Sequence, residues 1–132
     1  MNVNEKLFNL SADHLIRQGC KALVYYEWGD SNNEVKPTSC VFRNDQGLKC
    51  AVGALIGDDH YSKNLEGFDV ANYYVKNAIE STHNIVLDET IISMLWSLQE
   101  IHDHSAPIEW SQKLTDLAVK LGFDWTPSEV SV

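Results

Sequence analysis

Cys50 opens a run of small apolar residues, Cys50-Ala51-Val52-Gly53-Ala54-Leu55-Ile56, and Asp58, Asp59 and His60 follow it closely. His102, Asp103 and His104 form a second group in the carboxyl-terminal third. A thiol at the amino end of a helix is favoured as thiolate by the helix dipole and the free N–H groups, which is the activation used by Cys-His hydrolases. Cys50 as nucleophile, with His102 and Asp103 or His60 and Asp58 or Asp59 as base and orienter, is therefore the catalytic candidate set. Free cysteine is also among the most buried residue types and packs as a small apolar group. Beside Ala51, Gly53 and Ala54, a structural Cys50 is the favoured reading.

The same residues offer imidazole and carboxylate ligands of the kind zinc takes. His102 and His104 stand two apart on or near a helix, where side chains diverge, and no His-x-x-x-His or Cys-x-x-Cys spacing reinforces them. No metal or other cofactor is expected. Histidine suits the negative end of a helix dipole, so His102-Asp103 reads more simply as a helix end. A disulfide between Cys40 and Cys50 is sterically conceivable across a turn but disfavoured in a reducing compartment. Asp58, Asp59 and Glu66 could form a carboxylate cluster for acid-base work, or be solvated turn residues. Among the aromatics, Tyr25, Tyr26, Trp28, Tyr61, Tyr73 and Tyr74 offer contact surfaces, and Trp96 lies off the Ile91-Leu95-Leu98 face of its helix. Trp96, Tyr61, Asp58, Asp59 and Glu66 are the binding candidates.

These residues need elements to position them. Asn2 or Asn4 can cap a helix over about 4–18, closed by Gly19. The β-branched and aromatic run within Cys20–Trp28 predicts a strand, and 29–34 a polar loop. Cys40–Arg43 reads as a short strand, and Asn44-Asp45-Gln46-Gly47 as the turn of a small β-hairpin. A helix then starts at Cys50, whose small face (Cys50, Gly53, Ala54) would let another backbone come close. Asp69 can cap the next helix, ending near Ser81 or Thr82, and Ile85-Val86-Leu87 reads as an extended linker. Asp88 caps the most strongly patterned helix, with Ile91, Ile92, Met94, Leu95, Leu98 and Ile101 on its apolar face. Pro107 starts and Gly122 ends the last one.

The 132 residues suit one domain, expected over 1–126 with a frayed tail at 127–132. The fold class expected is helix-rich α+β, with about five helices and a small β-hairpin. The formal charge is −9; residues 88–132 hold 8 acidic and 2 basic side chains, net −6, and residues 1–87 hold 11 and 8, net −3. Nucleic acid is not an expected partner, because phosphate binding needs Lys and Arg, of which this chain has 10 against 19 Asp and Glu. Three cysteines cannot all pair, no signal-peptide pattern opens the chain and no apolar run reaches the roughly 20 residues of a membrane span. A cytoplasmic setting with no membrane contact is expected.

Lys49-Cys50-Ala51-Val52-Gly53-Ala54-Leu55-Ile56-Gly57-Asp58-Asp59-His60-Tyr61, then Leu65-Glu66-Gly67, and later Leu98-Gln99-Glu100-Ile101-His102-Asp103 before Trp110 resemble motifs of small uncharacterised proteins of tailed phages and prophages. The resemblance spans roughly 38–121, and Gly57 stands where that pattern commonly has proline. It implies a phage or mobile-element setting and carries no activity with it. The function expected is that of a small acidic binding or regulatory protein, acting on a host protein or sequestering a small ligand of the bacterial host, with counter-defence as a natural setting. The alternative is a thiol-dependent hydrolase or transferase using Cys50.

Overall fold

The computed structural model describes residues 2–25 and 38–127. Four α-helices carry the fold: α1 (Val3–Gln18), α2 (Tyr73–His83), α3 (Glu89–His104) and α4 (Pro107–Leu121). Two three-residue strands, β1 (Leu23–Tyr25) and β2 (Thr38–Cys40), pair antiparallel with Leu23 opposite Cys40. Between β2 and α2 the chain winds through three short 3-10 turns, Gly53–Leu55, Asp58–His60 and Lys63–Leu65. Tyr26, Trp28 and the 29–34 loop lie outside the described residues, as do residues 128–132 of the expected tail.

The helix ends follow from local chemistry. The Asn2 side chain accepts from Glu5 N–H, and Gly19 closes α1 in the left-handed region, φ 70°. Asp88 accepts from Ile91 N–H to start α3, Pro107 occupies the first turn of α4, and Gly122 closes it at φ 76°. The helix expected from Asp69 instead begins at Tyr73. Asn72 is its cap, accepting from the N–H groups of Tyr74 and Val75, while Asp69 accepts from Ala71 N–H in the preceding turn. Asn84, also left-handed, ends this helix.

α1 is the central element, packing on α3, α4 and the Gly53–Leu55 turn. Leu7, Phe8, Ala12 and Leu15 form its buried stripe, and the Phe8 ring meets Phe123 and Trp125 edge-on at 5.5 and 5.7 Å. The Trp125 indole donates to Asp13 Oδ1 at 2.9 Å, so the segment after α4 is tied back to α1. The Gln18 amide bonds both the N–H and the C=O of Lys49. His14 adds a second bond to the same carbonyl, and burial pushes its pKa down.

Two expectations are corrected. The run Cys50–Ile56 is not an α-helix but a 3-10 turn over Gly53–Leu55, so the described residues hold four α-helices and not about five. Seven residues with Gly53 at their middle and Gly57 behind them are too few to sustain a helix without external help. A carbonyl that such a helix would need is claimed from outside: Ala51 C=O accepts from the Ser11 hydroxyl, and Leu55 N–H turns to Val52 C=O. The hairpin is also not formed. Across the 44–47 turn only a single bridge, Arg43 to Lys49, exists, and Cys40 pairs with Leu23. The cause is that the N–H groups of Phe42 and Arg43 both donate to the Glu66 carboxylate, which leaves no ladder to extend. The turn itself does form, with the Asn44 side chain accepting from Gln46 and Leu48 N–H and Gly47 at φ 82°.

The small-residue face has its expected consequence in a different backbone. A Cβ added at Gly53 would lie 2.1 Å from the Phe42 carbonyl oxygen and 2.8 Å from its carbon. Both are main-chain atoms that cannot swing aside. Gly53→Ala is therefore expected to cost about 2–3 kcal/mol, as overpacking does, read as a lower urea midpoint at unchanged m-value; an unchanged midpoint would show that the two backbones can separate freely.

Candidate functional site

Asp103 is the point at which the sequence candidates converge. It stands near the end of α3, and its carboxylate takes hydrogen bonds from His102 Nδ1 at 2.7 Å and from Gln99 Nε2 at 2.8 Å. The Cys40 thiol of β2 donates to it as well. Burial works to raise the Asp103 carboxyl, but the bonds from His102 and Gln99 outweigh it and hold the group below the usual carboxylate value.

The His102 ring is fully buried and stacks on Trp110, centroids 5.5 Å apart. Its Nε2 lies 3.0 Å from Ala22 N. A backbone N–H can only donate, so Nε2 holds its lone pair toward Ala22 and the ring proton sits on Nδ1, facing Asp103. Both ring nitrogens are thus engaged. His102 has no free nitrogen with which to take a proton from a thiol.

Cys40, His102 and Asp103 place one potential ligand atom each within 4.8 Å of one another. Metal ligation by Nδ1 would require the ring to lose its remaining proton while Nε2 still accepts from Ala22. A neutral imidazole cannot serve both, and Lys21 Nζ, 3.1 Å from the Asp103 carbonyl, adds positive charge at this edge. The donor set is a hydrogen-bonded core junction, and His104, on the same helix end, is exposed and lies 3.9 Å from Glu100.

Cys50 is buried, its sulfur accepting from Gly53 N–H at 3.3 Å. Burial pushes its thiol up to about 12, and burial together with the Asp103 charge pushes Cys40 up to about 11. Both stay protonated near neutral pH and neither is an activated nucleophile. The activating helix N-terminus expected at Cys50 is absent, because no α-helix starts there.

The other end of the motif forms a separate junction. Glu66 accepts from Phe42 and Arg43 N–H at 2.8 and 3.1 Å and from the Tyr61 hydroxyl at 2.5 Å. Burial and this bond raise the Tyr61 pKa. The Arg43 guanidinium lies 4.6 Å over the Tyr61 ring, donates to the Ile56 carbonyl at 2.6 Å and pairs with Asp58 at 2.7 Å. Asp58, Asp59 and His60 share one exposed turn.

Between the two junctions lies a cleft of about 290 Å³. α3 contributes Trp96, Gln99, Glu100 and Asp103, positions i, i+3, i+4 and i+7 on one face. Glu66 through Val70 make the opposite wall, and Cys40–Phe42, Cys50 and Val52 the remainder. Of the sequence candidates, Trp96, Glu66, Cys50 and Asp103 line it; Tyr61 touches it only through Glu66, and Asp58, Asp59, His60 and His102 are not in the lining. Phe68, Asp69, Gln99 and Glu100 were not singled out from sequence. The 96-99-100-103 spacing was the available signal for two of them.

Comparison with protein-family models, with curated proteins and with solved structures finds no match to this chain.

Alkylation near neutral pH is expected to modify the exposed Cys20 first, Cys40 at least about tenfold more slowly, and Cys50 only as the protein unfolds, as read by peptide mass mapping. Cys50 reacting ahead of Cys20 would restore the thiol-enzyme reading. Asp103→Asn is expected to lower stability by about 2 kcal/mol. Because the folded carboxyl titrates below its ordinary 3.8, the charged group stabilises the fold above that value and the contribution is lost as pH falls through the depressed one. The gap between wild type and variant in urea titrations should therefore close only at the acidic end.

Proposed function

We propose that this chain is a small non-enzymatic binding protein, a helix-rich α+β domain of phage or prophage type, which works in the bacterial cytoplasm by occupying a host protein. The single observation that carries the reading is the cleft beside α3. It is open to solvent and flanked by two large exposed apolar side chains, Trp96 at 46% and Phe68 at 53% exposure. Exposed aromatic rings beside a concave wall are what interfaces use as anchors.

The chemistry around the cleft supports binding over catalysis. The thiols that reach it are held protonated, and the histidine nearest to them spends both nitrogens on Ala22 and Asp103. What remains free to act at the rim is Trp96, Phe68, Glu100 and Asp69, a set that can contact and orient but holds no nucleophile. Among the described residues no helix is long and apolar enough to cross a membrane, which is compatible with a cytoplasmic setting.

The phage-type assignment is supported by the resemblance of the motifs, and those motifs meet in space. Gln99 of the later motif accepts Val52 N–H of the earlier one, and Glu66 of the acidic-Gly pair accepts from the hydroxyl of Tyr61, at the end of that earlier motif. Counter-defence, by masking a host protein, suits a protein with no chemistry of its own.

The test is affinity capture from bacterial lysate with wild type and Trp96→Ala side by side, followed by native mass spectrometry. Trp96 is a surface residue whose loss should leave the urea midpoint within about 0.5 kcal/mol. A host protein retained by wild type and lost by Trp96→Ala is the expected result. A clean monomer that retains nothing, or capture indifferent to Trp96, would count against the reading.

A further inference from the structure

The cleft carries a charge pattern that specifies its occupant more narrowly than aromatic exposure does. Among the described residues, its lining holds four carboxylates, Glu66, Asp69, Glu100 and Asp103, and no Lys, Arg or His. Two of the four are committed inside the fold: Glu66 to Phe42, Arg43 and Tyr61, and Asp103 to His102, Gln99 and Cys40. Their hydrogen bonds fix them in place, so their carboxylates face the cleft without reaching a ligand. The other two come from opposing walls, Glu100 on α3 and Asp69 on the segment before α2, and both are exposed. Asp69 spends one oxygen on Ala71 N–H, and among the described residues Glu100 has only the distant His104, 3.9 Å away. On the Asp103 side, Lys21 bonds that residue's carbonyl and lies outside the lining.

Trp96 stands one helical turn before Glu100 on the same face, which sets an indole beside a carboxylate. A planar cation stacks on an indole face and bonds a carboxylate edge-on at once, the combination that guanidinium provides better than ammonium. An anion would meet four carboxylates, and a neutral group would leave the potential unused. The volume, about 290 Å³, is at the lower end of the roughly 300–1,000 Å³ of small-molecule sites, enough for one side chain and short of a larger cofactor.

We propose that the cleft between α3 and the Glu66–Val70 segment takes a guanidinium group, the side chain of an arginine on the partner protein, stacked on Trp96 and bonded by Glu100 and Asp69. The assignment rests on the binding reading above and names the chemistry of its contact.

The test is an NMR titration of the full chain, watching the Trp96 indole N–H, with N-acetylargininamide, its lysine and citrulline counterparts, and free arginine. Saturable shifts at Trp96 and at residues 66–70 with the capped arginine are expected, weakened about fivefold or more by Asp69→Asn with Glu100→Gln and by about 0.5 M salt. Asn at position 69 keeps the bond to Ala71 N–H, so this variant should fold as wild type does. Equal binding of the isosteric neutral citrulline, equal binding of the lysine probe, or tighter binding of free arginine would overturn, respectively, the cation, the guanidinium and the protein-borne source. If a captured host protein depends on Trp96 but survives the double variant and salt, the arginine inference falls and the binding reading stands; if no probe and no partner binds, both fall.

Discussion

The Asp103 carboxylate joins α3 to the strand side of the molecule. It takes the Nδ1 proton of His102, an amide N–H of Gln99 and the thiol proton of Cys40, and each donor passes the constraint on. His102 turns Nε2 toward Ala22 N–H at the entrance to β1, and Gln99 turns its oxygen toward Val52 N–H. One charge thereby sets a ring tautomer, an amide orientation and a thiol rotamer, and three chain segments are fastened to one helix end. An unpaired buried polar group at any of these points would cost about 1–3 kcal/mol, so the arrangement is held by the penalty for breaking it more than by the strength of any single bond.

Glu66 performs a parallel task on the other flank. Two consecutive backbone N–H groups that would otherwise seek a strand partner end on its carboxylate, which stops β2 from growing into a hairpin. Gly53 then lets the Phe42 carbonyl come to a distance no side chain would permit. A sheet edge is satisfied by a side chain, and the Cys50–Ile56 run tightens to a 3-10 turn where the Ser11 hydroxyl takes the Ala51 carbonyl and Leu55 N–H turns to Val52.

The cleft is what these two junctions leave between them. Its floor is the fastened part of the fold, with Cys50 and Val52 buried and Asp103 and Glu66 already committed. Its rim is different in kind: Trp96, Phe68, Asp69 and Glu100 hold little of the structure together. Residues that build the cleft and residues free to contact a partner are thus separable by substitution.

Local chemistry by itself determined the helical frame. Asn2 and Gly19, Asp88, and Pro107 with Gly122 mark the ends of α1, α3 and α4 because caps and stops act over three or four residues. The start of α2 shows the limit, since Asp69 and Asn72 are both good caps and only the turn between them selects the second. Cys50, His102, Asp103, Glu66 and Trp96 could be picked out by type and spacing, and the 96-99-100-103 stripe was present along α3. Whether His102 was a base or a filled core position depended on Ala22, 80 residues away. The small face at Cys50 served the Phe42 backbone and not a helix, and the second wall of the cleft came from 66–70. Those outcomes belong to the tertiary structure because a donor or carbonyl brought in from a distant segment competes directly with the local partner, and sequence spacing carries no record of which will arrive.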